Sequence, residues 1–475
     1  MTGPQDGKKK AVIRDRFDRL AGEREAWQRR NRYYYEDQRR YFRFLVPEGL
    51  RVLEIGSGLG DLLAAVNPVR GLGLDLSEAM VKEASRRHPS LEFRVADAET
   101  LELDETFDVI ILADVVGHLL DVEAALRRVR RCCTPRTRLV FSYYNFLWEP
   151  VLRMAERVGL KMPQQHQNWL ALEDLANLLH LTGYEVVKTE RRLLLPKRLP
   201  ILSTVANRVL AYLPGFRAAC LCQYLVARPV ESVRPRDYSV SIVIPCRNER
   251  GNIEEAVRRI PAFGLRQEII FVEGHSSDGT AEEIERVRRS YPDRNIRLLV
   301  QDGRGKGDAV RLGFAQATGD VLMILDADLT MPPEDLPKFY QAIAGGKGEF
   351  INGCRLVYPM EEQAMRTLNL LGNKFFGMAF SWLLNQRIKD TLCGTKVLFR
   401  EDYERMAAHR SYFGEFDPFG DFDLLFGAAK LNLKIVEVPI RYEERRYGTT
   451  NIRRFAHGWL LLKMTVYGFF RLKAV

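Results

Sequence analysis

Nine short apolar runs, set in two separated blocks, constrain this chain more than any other feature. The first block reads RVLEI (51–55), GLGLD (71–75), EFRVA (92–96), DVIIL (108–112) and RLVFS (138–142). The second reads VSIVI (240–244), EIIFV (268–272), IRLLV (296–300) and VLMIL (321–325). Runs of this length suit buried strands, and the segments between them are compatible with helices. Strands alternating with helices imply mainly parallel sheets, since a parallel pair needs a crossover connection. Between the blocks, VARPVESVRPRDYS (226–239) carries two prolines and clustered charges and reads as a seam. A chain of 475 residues is too long for one core. The expectation is α/β: two doubly wound domains, at 1–228 and 238–475, with no obvious repeat between them.

The charge balance is basic, 72 Lys+Arg against 62 Asp+Glu, for a formal +10. Such an excess suits nucleic acid, an anionic membrane or anionic small substrates. The aromatic-studded basic stretch Arg29-Arg30-Asn31-Arg32-Tyr33-Tyr34-Tyr35 sits in no recognisable nucleic-acid module, so no nucleic-acid partner is expected. The seven cysteines form neither a zinc spacing nor a disulfide framework: Cys132 and Cys133 are adjacent, Cys220 and Cys222 two apart, the rest scattered. The opening MTGPQDGKKK lacks the apolar stretch of a signal peptide. No run reaches the roughly 18 apolar residues of a spanning helix. The expected location is the cytoplasm, with any membrane contact peripheral and at the inner face.

After the first run the chain reads Glu54-Ile-Gly56-Ser-Gly58-Leu-Gly60-Asp61. Glycines let the backbone turn sharply and approach a ligand closely. A dinucleotide loop of the GxGxxG type needs its third glycine at 61, opening a helix that receives pyrophosphate. Asp61 stands there instead and would repel that group, so NAD and FAD are not expected. The bland alternative for such a loop is a tight strand-to-helix turn. Further acids follow in order: Asp75 closes the second run, Asp97-Ala98 follows the third, Asp108 opens the fourth, and Asp114-Val-Val-Gly-His118-Leu comes after it. This series resembles the Rossmann-like class I S-adenosylmethionine-dependent methyltransferases. The resemblance implies S-adenosylmethionine as cofactor, held by Glu54, Gly56, Gly58, Gly60 and Asp114, with Asp75 at the ribose hydroxyls and Asp97 and Ala98 at the adenine. Cys133-Thr-Pro-Arg-Thr137 stands where the family commonly has a Pro-Gly-Gly turn. His118 is a candidate general base, weighed against a packed, hydrogen-bonded histidine. The helix carrying Tyr33 and Tyr34 is expected to cover the cofactor.

The second block carries polar groups after each strand. Pro245-Cys-Arg247-Asn248-Glu249 follows the first, Glu273-Gly-His-Ser276-Ser-Asp278-Gly279-Thr280 the second, Gly305-Lys306-Gly307-Asp-Ala309 the third, and Asp326-Ala327-Asp328 the fourth. In a parallel sheet these all emerge at one edge, where α/β folds bind ligands. Carboxylates there suit Mg²⁺ or Mn²⁺ held together with substrate phosphates. Asp-Ala-Asp alone would be an ordinary loop turn; the full series resembles family-2 glycosyltransferases of the inverting, GT-A type, and among them the dolichol- and polyprenyl-phosphate branch. The likeness runs from about Ser239 to Ile452. It implies a nucleotide-sugar donor bound by Pro245, Asn248, Glu249, Glu273, Asp278, Gly305, Lys306 and Asp326. It makes Asp328 the metal ligand and Asp326, Asp328, Arg355 and Arg445 the catalytic set. Asn352-Gly-Cys-Arg355, Asp390-Thr-Leu-Cys-Gly394-Thr-Lys396 and Glu437-Val-Pro-Ile440 through Arg445 and Gly448 match later motifs. Glu273-Gly274 replaces a usual pair of aspartates, and Thr449-Thr450-Asn451 replaces a serine and lysine.

The acceptor divides two readings. A phosphate is already ionised and needs cations, for which Arg355, Arg366, Arg441, Arg445 and Arg446 are candidates. A glycan hydroxyl needs a base, for which Asp417, Asp421 and Asp423 are candidates. Polyprenyl phosphate is the preferred acceptor, and a glycan methylated by the first domain is the alternative. The C-terminal stretch places Phe455, Trp459, Leu462, Val466 and Phe469/Phe470 on one helical stripe beside Arg453, Arg454, Lys463, Arg471 and Lys473, a pattern that suits a membrane interface or a helix packed on its own core. Leu193–Val226 is equally apolar and reads first as a closing edge of the first domain. The rival classes are a scaffold with one degenerate domain and a lipid-surface methyltransferase whose glycosyltransferase half is inert.

Overall fold

All nine runs form strands in the computed structural model, which describes residues 4–163, 167–230, 237–357, 367–410, 420–443, 445, 447 and 454–474. The chain forms two compact units, Met1–Glu231 with Lys473–Val475, and Ser232–Leu472.

The first unit opens with two helices, α1 (Pro4–Arg30) and α2 (Arg32–Leu45). Its seven strands are β1 (Arg51–Ile55), β2 (Arg70–Asp75), β3 (Glu92–Val95), β4 (Phe107–Ala113), β5 (Cys133–Tyr144), β6 (Tyr184–Arg192) and β7 (Cys222–Pro229), in the order β3-β2-β1-β4-β5-β7-β6. β1 lies parallel between β2 and β4, so the chain reverses its direction of travel across the sheet there and leaves a crevice at the strands' carboxyl ends. β7 runs antiparallel between β5 and β6. Residues 226–229 therefore belong to a central strand and not to the seam, which begins after Pro229. The seam reading was drawn by Arg228 and Pro229, yet Arg228 is buried in an ion pair with Glu185. Val52, Leu53, Ile110, Leu139 and Phe141 fill the core with no measurable exposure.

The second unit has β8 (Val240–Cys246), β9 (Gln267–Glu273), β10 (Ile296–Val300), β11 (Val321–Ile324), β12 (Phe350–Cys354), β13 (Lys396–Phe399) and β14 (Ile435–Pro439), in the order β10-β9-β8-β11-β13-β12-β14. β8 lies parallel between β9 and β11, while β13 is antiparallel to both of its neighbours. The loops after β8, β9 and β11 thus meet at one edge. Among the described residues no helix is long and apolar enough to cross a membrane. In the C-terminal helix Arg454–Gly468 and the turn after it, Trp459, Leu462, Val466 and Phe470 are exposed, whereas Leu461 and Met464 are buried. The side chain of Phe455, and Arg453 altogether, lie outside the described residues.

Phe141, on a strand with sheet partners on both sides, has no room to be replaced by a void. Phe141→Ala should cost about 3–5 kcal/mol and lower a calorimetric transition of the full chain.

Candidate active sites

The loop after β1 is shaped by glycines at positive φ: 73° at Gly56, 52° at Gly58 and 77° at Gly60. A β-carbon on Gly56 would lie 2.6 Å from Val115, and one on Gly60 would lie 2.5 Å from the Phe93 ring. The Gly58 N–H donates to Asp75 Oδ2 at 2.8 Å and the Ser77 N–H to Oδ1 at 2.9 Å. Burial nevertheless raises the Asp75 pKa, with these bonds opposing the shift. Beside the loop lies a cavity of roughly 260 Å³, lined by Gly56, Gly58, Asp75, Asp97, Ala98 and Asp114 among others.

Two residues expected at the cofactor stand elsewhere. Glu54 does not line the cavity; it is buried under the loop and accepts the Leu63 N–H at 3.0 Å, at the start of the short helix Asp61–Ala65. Burial pushes its pKa well up. Gly60 meets Phe93 and not the cavity. Both shape the loop from behind.

The two N-terminal helices roof the cavity. Lys10 pairs with Asp97, and with Glu99 at 2.9 Å. Asp18 accepts the Ser77 hydroxyl at 2.5 Å and the Ala79 N–H at 3.1 Å, adding a second acceptor at the start of helix Glu78–Arg87. Asp114, at φ 55°, accepts from Tyr34 Oη (2.5 Å), Gln38 Nε2 (2.8 Å) and Ser142 Oγ (2.9 Å). Two of these bonds hold α2 and the third ties Asp114 to β5. The ring of His118 meets Phe17 of α1 edge-on at 5.3 Å, which favours a packing role. Lys10, Asp18 and Gln38 carry no motif, so nothing in the sequence singled them out.

In the second unit, four loops place charged groups together. Lys306 begins the helix Lys306–Gln316 after Gly305 and pairs with Asp326 at 2.5 Å. Burial would raise the Asp326 pKa, but Lys306, then Lys396 and Arg355, outweigh it and hold the carboxyl below its usual range. Gly394 backs this carboxylate so closely that a β-carbon there would lie 1.9 Å from Asp326 Oδ2. Asp328 Oδ2 accepts from Arg445 Nη2 at 2.7 Å, and Arg445 Nη1 donates to Glu249 Oε1 at 2.8 Å. One guanidinium therefore spans the ends of β8 and β11. Thr330 Oγ1 donates to Asp328 Oδ1 at 2.8 Å, and Asn252 Nδ2 to Glu249 Oε2 at 2.7 Å.

The nucleotide-side residues hold one another. Asn248, at φ 56°, accepts the Ser277 N–H at 2.9 Å. Glu273 accepts the N–H groups of His275 (3.1 Å) and Ser276 (2.5 Å), closing its own loop. Asp278 accepts the Thr280 N–H at 3.1 Å, the first donor of the helix Thr280–Ser290. Pro245 lies half-buried within β8.

Arg355 differs from the expectation of a phosphate-binding cation. Its Nε and Nη2 form a fork on the fully buried Asp390, at 2.7 and 2.8 Å, and its guanidinium lies 5.2 Å from the Tyr442 ring centroid. It positions the loop that carries Gly394. Asp423 pairs with Arg311 at 3.3 Å. Arg366, Asp417, Arg446, Gly448 and Thr449-Thr450-Asn451 lie outside the described residues, as does the side chain of Asp421. Among the described residues no group of three His, Cys, Asp or Glu side chains is placed to hold a metal ion. A magnesium-type ion commonly takes one or two carboxylates and draws its remaining ligands from water and substrate phosphates, so the Asp326/Asp328 pair fits such an ion only alongside a phosphate ligand.

The lowered Asp326 pKa gives a sign that can be checked. The Lys306–Asp326 pair contributes in full above the unfolded carboxylate range, about 3.9, and its contribution is lost as pH falls through the lower folded value. The melting-temperature gap between wild type and Lys306→Met should therefore be constant near neutrality and close only in strong acid.

With this geometry in place, the likenesses to known proteins fall on the same two units. Residues 27–189 match the methyltransferase domain family and residues 241–407 match glycosyl transferase family 2. A dolichol-phosphate mannosyltransferase of Pyrococcus furiosus is 33% identical over 219 residues, which is 45% of this chain and 59% of its own. An undecaprenyl-phosphate 4-deoxy-4-formamido-L-arabinose transferase of Edwardsiella ictaluri is 34% identical over 215 residues, 44% of this chain and 61% of its own. Glycosyltransferase AglJ of Haloferax volcanii is 28% identical over 229 residues, 48% of this chain and 71% of its own. The chain spans less than two thirds of the first two of these curated relatives. It carries a methyltransferase domain followed by a family 2 glycosyltransferase domain.

Proposed function

We propose that the second domain transfers a sugar of the hexose type, with inversion, from a nucleotide-sugar donor to polyprenyl phosphate, and that the first domain methylates an acceptor with S-adenosylmethionine. The observation that carries the sugar-transfer reading is the meeting of Glu249, Lys306, Asp326, Asp328 and Arg445 from four loops at one sheet edge. A phosphate acceptor needs no base, only cations to set it in line with the donor. Lys306 and Arg445 supply cations whose present partners are carboxylates, and a diphosphate offers both the same kind of charge. Two relatives named for dolichol phosphate and undecaprenyl phosphate support a lipid phosphate acceptor. Of the described candidate bases for a glycan hydroxyl, Asp423 pairs with Arg311.

Asp328, with Asp326 beside it, would hold a Mg²⁺ or Mn²⁺ ion that neutralises charge on the departing diphosphate. The chain's own part is orientation: Arg445 fixes the Asp328 loop against Glu249, and the Arg355–Asp390 fork fixes the loop bearing Gly394. In the first domain, Gly56 and Gly58 leave room for a close approach of the cofactor's amino-acid tail. Asp75 retains lone pairs for two ribose hydroxyls, and Asp97 and Ala98 border the place of a base. The exposed C-terminal stripe with Lys463 and Arg471 supports peripheral contact at the cytoplasmic face of a membrane.

With Mg²⁺ or Mn²⁺, labelled nucleotide sugar and polyprenyl phosphate in detergent, label should enter the organic phase. Asp328→Asn should lower that rate by roughly 10²–10³-fold. Nucleotide release without lipid labelling would discard the lipid acceptor and turn the search to glycan hydroxyls. By titration calorimetry, Asp75→Ala should weaken S-adenosylmethionine binding about tenfold or more, as loss of hydrogen bonds to a charged group does. Unchanged affinity would remove Asp75 from the cofactor site.

A further inference from the structure

Two segments of the methyltransferase domain expose more apolar surface than its fold requires. In the first, Leu147, Val151 and Met154 lie outward along the turn and helix that end at Arg157, as does Val158 just past it, with Met154 58% exposed. In the second, Ile201, Leu202, Val205, Val209, Leu213 and Phe216 do the same, with Ile201 80% and Val205 44% exposed. The segments are stitched side by side: Asn145 Nδ2 donates to the Ala218 carbonyl at 2.8 Å and Trp148 Nε1 to that of Ala219 at 2.7 Å. Exposed apolar surface on this scale marks an interaction site.

The charge pattern selects the partner. No acidic residue occurs between Glu190 and Glu231, while Lys197, Arg198 and Arg208 stand exposed along the second segment. On the first segment, Glu149 is neutralised by Arg153 at 2.5 Å, and Glu156 pairs with Lys161. An apolar face edged by cations and poor in free anions complements an anionic bilayer surface. A second copy of the same face would bring like charges together. The face is also continuous with the cavity: Trp148, Val151, Leu160, Pro196 and Lys197 line it, and Val151 and Leu160 are exposed as well.

We propose that this face docks the methyltransferase domain on an anionic lipid surface, with the cavity mouth toward the bilayer. This membrane contact is separate from the C-terminal stripe and does not depend on which cofactor the cavity takes.

The test uses the full chain with an environment-sensitive fluorophore attached through Val205→Cys or, separately, Met154→Cys, with labelling of the wild-type chain as background. Both labels should shift to the blue on vesicles of phosphatidylcholine with phosphatidylglycerol, far less on phosphatidylcholine alone, and still do so in the Phe470→Glu background. Val205→Glu with Val209→Glu should lower vesicle partitioning by roughly tenfold, while S-adenosylmethionine binding, read separately by calorimetry, stays as in wild type. Unchanged label emission on protein that floats with the vesicles would overturn the proposal by placing the contact elsewhere. A concentration-dependent dimer lost in Val205→Glu, without vesicle binding, would overturn it in favour of a second copy.

Discussion

The carboxylates at the end of the second sheet are tolerable there because each has a cation. Asp326 has Lys306, and Asp328 shares Arg445 with Glu249. Without Lys306, burial would drive Asp326 toward protonation, and without Arg445 the Asp328 and Glu249 carboxylates would be left as neighbouring like charges. The pairs that hold the protein together without substrate are also those a diphosphate would compete for. On the proposed reading, a donor arriving with its own negative charge would exchange one set of partners for another, and that exchange would couple the order of the loops to occupancy of the site.

The first sheet solves a different problem. Its ligand edge is roofed by α1 and α2, held through Lys10 on Asp97, Asp18 on Ser77, and Tyr34 and Gln38 on Asp114. Each tie joins a helix residue to an acid or hydroxyl at a strand end. The roof and the cavity floor therefore use the same side chains, so a change at the floor also alters how the roof is fastened.

The strands were legible where a run was apolar and bounded by polar turns, which holds for β1 to β5 and β8 to β11. β6 escaped because YEVVKTERR looks like a solvated segment, yet Lys188, Glu190 and Arg192 are buried. β7 was only partly read because its last residues are Arg-Pro. In the sites, spacing located the glycines and acids but not how their atoms are used. Arg355 reads as a phosphate-binding cation because Asp390, which takes its fork, lies 35 positions away. Glu54 and Glu273 were read as ligand contacts, yet Glu54 accepts the Leu63 N–H of the following helix and Glu273 two N–H groups of its own loop. Such assignments depend on where distant backbone is folded, and spacing does not carry that information.

Gly394 shows how narrow the tolerance of the second site is. Its Cα sits so near Asp326 that any β-carbon would overlap the carboxylate. Every single-base change that replaces glycine by another amino acid introduces a β-carbon. Leaving glycine at this position therefore means moving the ends of the Asp326 and Lys306 side chains, so drift here is tied to the geometry of that ion pair.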